Sequence, residues 1–220
     1  VFLLFIAIGC KKEAAQIPGP AGCRIITATT GSSAPITIGY LPDGKIAKME
    51  SGQVIQTYSY SGNTVTILTT DDGSFDGRKI LTLNSDGLPV NVRGDYNEAG
   101  TEWYNDAFEY NGKEVSKKVE SDYSTSATAT INYTWADGNL QKEQSGSYGT
   151  TTYQYYTDKT IRDGDYFYYE QLLSDGYQFV LNKHLLKSSV SQSAPADNYT
   201  YTFAADEKII SYREDARQPV

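Results

Sequence analysis

One thirteen-residue unit constrains this chain more than any other feature: Ile131-Asn-Tyr-Thr-Trp-Ala-Asp-Gly-Asn-Leu-Gln-Lys-Glu143. In an extended chain Ile131, Tyr133 and Trp135 share one face, and Asn132 and Thr134 the other, because side chains alternate with a period of two. Asp137-Gly138 supplies two residues that tolerate positive φ, which a tight hairpin turn requires. The same grammar recurs from residue 36 onward. Ile36–Tyr40 turns at Pro42-Asp43-Gly44, Val54–Tyr60 at Ser61-Gly62-Asn63, and Lys79–Leu83 at Asn84-Ser85-Asp86-Gly87. Ala107–Tyr110 turns at Asn111-Gly112, and Tyr199–Phe203 at Ala205-Asp206-Glu207. Thr151–Tyr156 and a pair of strands at Asp165–Leu173 and Tyr177–Leu181 complete the pattern. From Cys23 on, no stretch of ten or more residues carries a 3.6-residue apolar period.

The turn glycines at 44, 62, 87, 112 and 138 lie 18, 25, 25 and 26 residues apart. That spacing fits two strands of about eight residues with a turn at each end. Links this short force antiparallel pairing, since a parallel return needs about a dozen residues or more. The expected fold is therefore all-β: an antiparallel meander of about twelve or more strands. An open sheet that long leaves exposed edges, so it should curl into a barrel-like or half-barrel sheet. Leu181–Lys187 breaks the alternation and reads as a turn of helix or an irregular crossing segment that caps one barrel end.

Composition refines this. Nineteen tyrosines supply much of the 39% hydrophobic content, and tyrosine suits a half-wet pleated surface better than a dry kernel. The formal net charge of −8 argues against a nucleic-acid partner, which needs a basic face.

Val1–Gly9 is apolar throughout and is followed by Cys10, Lys11, Lys12 and Glu13. Nine residues are too few to span a bilayer, which takes roughly 20, but they match the core of a signal peptide. Ala7-Ile8-Gly9-Cys10 resembles a bacterial lipobox, whose cysteine is lipidated. The organisation expected is a signal-peptide remnant at 1–9, a lipidated Cys10 with a flexible tether at 10–22, and one β domain at 23–220. Cys23 reads as a small apolar residue at the start of the first strand of that domain.

The repeated form φ-x-Tyr-x-x-x-Asp-Gly-x-φ-x-Lys at 38–48, with relatives at 131–142 and 201–210, resembles the Tyr-Asp repeats of wall-associated and toxin-encapsulating proteins. More closely, the chain resembles a family of Bacteroidetes lipoproteins of unknown function with a porin-like fold. Cys23-Arg-Ile-Ile-Thr-Ala28 corresponds to its first strand, and Asn182–Ser188 with Tyr199–Tyr212 to its late segment and hairpin. The resemblance implies a porin-like β fold, a place in the bacterial cell envelope at the outer membrane, and a membrane contact through Cys10. It implies no catalytic residues and no cofactor.

No phosphate loop, dinucleotide fingerprint, HExxH or nucleophile elbow is present, and the expectation is a non-enzyme. Asp72-Gly-Ser-Phe-Asp76-Gly77 matches half of a calcium loop, but Leu83 stands where the bidentate Glu belongs, so a polar hairpin is the simpler reading. His184, the one histidine, reads as a packing or surface residue. The functional candidates are aromatic: Trp103, Tyr104, Trp135, Tyr155, Tyr166 and Tyr168, which would stack on a glycan or an apolar ligand. The competing role for these rings is packing inside a barrel. The two functional expectations are an envelope-anchored, non-catalytic ligand-binding module and, as the alternative, a structural scaffold contacting another envelope protein.

Overall fold

The computed structural model describes residues 2–7, 24–30, 33–161, 163–173, 175–192 and 194–216. Cys10, Cys23 and the tether at 11–22 lie outside them. The described residues form an all-β meander: β1 (Phe2–Ala7), β2 (Thr27–Thr30), β3 (Ile36–Tyr40), β4 (Ile46–Ser51), β5 (Val54–Ser61), β6 (Thr64–Asp71), β7 (Ser74–Leu83) and β8 (Pro89–Asp95). It continues through β9 (Trp103–Asn111), β10 (Glu114–Asp122), β11 (Thr125–Ala136), β12 (Asn139–Ser145), β13 (Gly149–Thr160), β14 (His184–Ser191), β15 (Asp197–Phe203) and β16 (Ile209–Ala216). Strands β2 to β16 pair in sequence order, each antiparallel to the next. The backbone of β1, the stretch read above as a leader, pairs with both β2 and β16 and so joins the two edges into a ring.

Hairpin chemistry sets this register. Asp137 and Gly138 take φ of 52° and 75°, the doubly positive turn that matches strand twist. Asp72 and Gly73 do the same at 49° and 79°. Ser74–Gly77 then continues as strand, so its oxygens alternate between faces and do not wrap one ion.

Tyrosines near the hairpin end that carries Asp43-Gly44, Asn111-Gly112 and Asp137-Gly138 have a physical role at that rim. Tyr60 Oη donates to the Ile46 carbonyl at 2.9 Å, Tyr110 to Pro89 at 2.8 Å, and Tyr155 to Leu140 at 2.6 Å. Trp135 Nε1 donates to Val115 at 2.7 Å. Each ring lies on the inner face and reaches back to an earlier hairpin, so neighbouring hairpins are tied rim-wise.

The connection between β13 and β14 departs from the sequence expectation. Asp165–Leu173 and Tyr177–Leu181 are not strands. They form a segment containing one π-helical turn, Tyr168–Leu173, and His184, expected in a crossing segment, begins β14 instead. Contacts from all round the wall place this segment in the lumen. Tyr58 of β5 donates to the Gly176 carbonyl at 3.1 Å. Phe179 packs on Phe108 of β9 and Tyr133 of β11, Phe167 on Tyr153 of β13, and Tyr166 on Tyr199 and Tyr212 of β15 and β16. A run surrounded by wall has no solvent face, so an alternating pattern could not have been its signature. Asp165 starts the turn by accepting from the Tyr168 amide at 3.0 Å, and Gln171 Oε1 accepts from the Phe179 and Val180 amides at 3.0 Å each.

The wall is apolar and aromatic inside, with Ile38, Met49, Ile67, Leu81 and Val92 buried. Outside it carries Thr57, Ser59, Thr66, Asn105, Glu109, Lys117, Asn132, Thr134 and Lys142. A membrane-spanning barrel needs the reverse, an apolar outer band about 25 Å tall. Among the described residues no helix is long and apolar enough to cross a membrane. On the outer face Asp95 is held by Arg78 and Arg93, whose guanidinium groups lie within hydrogen-bond distance of its carboxylate.

Gly176 seats the lumen segment. It has φ +89°, and a Cβ there would lie 2.9 Å from Tyr58 Oη and 3.0 Å from Ile67 Cδ1. Gly62, at φ +59°, faces open space. Gly176→Ala should lower the urea midpoint by an amount equivalent to about 2–3 kcal/mol, and Gly62→Ala by about 1 kcal/mol. Equal losses would mean that the seat contributes nothing.

Candidate functional site

The lumen segment fills the barrel from the end where β13 and β14 are joined. At the opposite end, between this segment and strands β9 to β11, it leaves a cavity of about 630 Å³. The inward positions of β9 and β10 build its wall: Tyr104 and Asp106 on β9, Lys118 and Glu120 on β10, with Asp106 directly opposite Glu120 in the ladder. Tyr177, Phe179 and Asp175 of the lumen segment form its floor, and Tyr96 and Tyr148 stand at its mouth.

Tyr104 lies flat on the wall because position 94 has no side chain. A Cβ on Gly94 would fall 2.0 Å from Tyr104 Cε1. At the mouth Tyr148 is 72% and Tyr96 56% exposed, so both rings keep a free face.

The charges are unevenly partnered. Lys118 Nζ lies 2.6 Å from Glu120 Oε1. Lys79 Nζ donates to the Asp175 carbonyl at 2.6 Å and sits over the Tyr177 ring. Burial pushes the Asp106 carboxyl up to about 6, with Lys118 opposing and Glu120 and Asp175 reinforcing the shift. Burial also raises Asp175 and Glu170. On the outer face the hydrogen bonds from Arg78 and Arg93 outweigh burial and lower Asp95.

Of the six aromatics singled out from sequence, only Tyr104 lines this cavity. Trp103, its neighbour, points to the outer face beneath Arg93. Trp135 and Tyr155 are rim ties, and Tyr155 also lines a smaller recess beside His184. Tyr166 and Tyr168 belong to the lumen filling, where Tyr168 is hydrogen-bonded to Tyr40 of β3. The rings are therefore dispersed over four roles instead of forming one platform. His184 is structural: its Nδ1 lies 3.0 Å from Asn139 Nδ2, and Asn139 Oδ1 accepts from its amide. Sequence reasoning missed Asp106, Lys118 and Glu120. Their signal was available: charged residues at inward places of strands whose other inward places are apolar or aromatic.

Asp165, buried at the start of the lumen turn, is pushed up to about 7 chiefly by desolvation. Both Asp106 and Asp165 thus hold a proton more tightly folded than unfolded. Their protonated forms stabilise the fold at low pH, and that contribution is lost as pH rises from about 4 through 6 and 7. The melting temperature should accordingly be higher at pH 5 than at pH 8. Asp106→Asn should recover part of the difference at pH 8, at most about 3 kcal/mol, with little effect at pH 4. A melting temperature that rises steadily from pH 5 to pH 8 would contradict these assignments.

No protein-family model matches the chain, and no curated protein matches it. Among solved structures, a crystal structure of a porin-like protein from Bacteroides uniformis is similar, with a TM-score of 0.62 and 16% sequence identity, over 100% of this chain and 90% of that one. At that identity the likeness is one of fold, and it agrees with the porin-like β architecture expected from the sequence motifs.

Proposed function

We propose that this chain is an envelope-associated, non-catalytic binding protein whose ligand, a glycan, enters the cavity at the Tyr96/Tyr148 mouth. The observation that carries the reading is the mouth itself. Two tyrosines with free faces stand over a cavity floored by Tyr177 and Phe179 and lined by hydrogen-bonding carboxylates. Sugars present an apolar face to stack and hydroxyls to bond, which this mixture suits. The charged lining favours a glycan over a wholly apolar ligand, because stripping water from those groups without replacing their hydrogen bonds is costly. The non-catalytic part rests on the sequence, which carries no phosphate loop, dinucleotide fingerprint, HExxH or nucleophile elbow.

The lipobox-like Ala7–Cys10 supports anchoring at the membrane. Cleavage ahead of Cys10 would remove β1 and leave β2 and β16 as edges. The lumen segment would still tie the two flanks, through Tyr168 to Tyr40 of β3 and through Tyr166 to Tyr212 of β16, so the anchored form would remain a curled half-barrel. The polar outer wall suits a tethered domain rather than an inserted one.

A glycan panel followed by calorimetry tests the binding reading. At least one glycan should bind, and Tyr104→Ala should weaken it at least tenfold, in line with loss of one stacked ring. A panel without binding, or affinity untouched by Tyr104→Ala, would overturn the assignment of this cavity.

A further inference from the structure

Asp106 is nine-tenths buried, and its carboxylate lines the cavity. Among the described residues it accepts no hydrogen bond and makes no salt bridge, although two lysines lie nearby. Both lysines are engaged elsewhere: Lys118 on Glu120, and Lys79 on the Asp175 carbonyl. The Asp106 oxygens open onto the cavity, and a carboxylate enclosed to that degree without a donor from the chain is a receptor for a donor supplied by a ligand. The cavity as a whole leans the same way, with five lining carboxylates to the single ammonium of Lys118.

From these features we infer that the cavity selects a ligand bearing a primary amine or ammonium group, seated on the Asp106 carboxylate between the Tyr104 and Tyr177 rings. This deepens the proposed glycan reading and rests on it for the cavity's role: the glycan class is an amino sugar with its nitrogen unacetylated. Aromatic faces attract a cation and remain in contact with the rest of the ligand. A metal ion is the poorer occupant, because among the described residues no three His, Cys, Asp or Glu side chains converge as a coordinating group.

The test uses three probes on the full chain: a glucosamine trisaccharide, its fully N-acetylated form, and spermidine as an amine without a sugar. Each is titrated calorimetrically at pH 7.5 against the unaltered chain, against Asp106→Asn, and against Ser59→Ala on the outer face as a control for substitution. Circular dichroism and melting confirm that the variants fold. The expected result is that the free-amine trisaccharide binds at least tenfold tighter than the acetylated one, with the advantage lost in Asp106→Asn and kept in Ser59→Ala. Equal binding of the two sugars, unaffected by Asp106→Asn, would overturn the amine inference and leave the glycan reading standing. Spermidine binding that depends on Asp106, with neither sugar binding, would uphold the amine and overturn the glycan. Silence from all three probes would overturn both.

Discussion

A sheet of about sixteen strands encloses more space than its own side chains fill, and barrels of that size ordinarily hold a water-filled channel. The rest of this structure answers to that constraint. Many outward positions of its wall are polar, and its buried apolar residues make their contacts inward. Wall residues such as Ile67, Val92 and Phe108 need a partner across the lumen, and the connection between β13 and β14 supplies one. The segment succeeds because its aromatic side chains reach wall strands on every side, while Asp165 and Gln171 satisfy backbone amides that no neighbouring strand pairs. An irregular backbone withdrawn from water requires that kind of compensation.

The tyrosine excess follows from the same geometry. A hairpin rim on a curled sheet is where strands splay, and a ring that packs inward while its hydroxyl meets a carbonyl of an earlier hairpin resists splaying. Tyr60, Tyr110 and Tyr155 do this, and Trp135 does it with an indole nitrogen. Tyrosine therefore serves mainly as architecture at one end of the barrel, while at the other end Tyr96, Tyr104, Tyr148 and Tyr177 line the larger cavity. The cavity is what the lumen segment leaves unfilled. Its acidity arises because Asp106, Glu120 and Asp175 are spread around its lining while the nearby lysines are already bound.

Much of the fold is legible in the sequence because hairpin turns announce themselves. Asp137-Gly138 adopts the doubly positive geometry its residue types imply, and alternation around it places Tyr133 inward and Thr134 outward. Strand ends are less legible. β7 begins at Ser74 and β11 at Thr125, where small and polar residues blur the contrast between faces that period two relies on. The lumen segment was unreadable by alternation, since four successive aromatics at Tyr166–Tyr169 suit a strand buried on both faces as well as a turn buried on all sides. The candidate site was only partly legible. Tyr104 stood out as an aromatic, whereas Asp106 became meaningful only once register set it inside the wall opposite Glu120.

Residues 163–173 and 175–183 fill the lumen of the barrel. Hydrogen–deuterium exchange followed by mass spectrometry tests this placement most directly, because this segment has no strand ladder to protect it. Seated in the barrel, peptides spanning 166–181 should exchange as slowly as those from β9 and β10, with the Phe179 and Val180 amides among the slowest. Exchange of those peptides within seconds, at the rate of an exposed loop, would contradict the account and return the barrel interior to solvent.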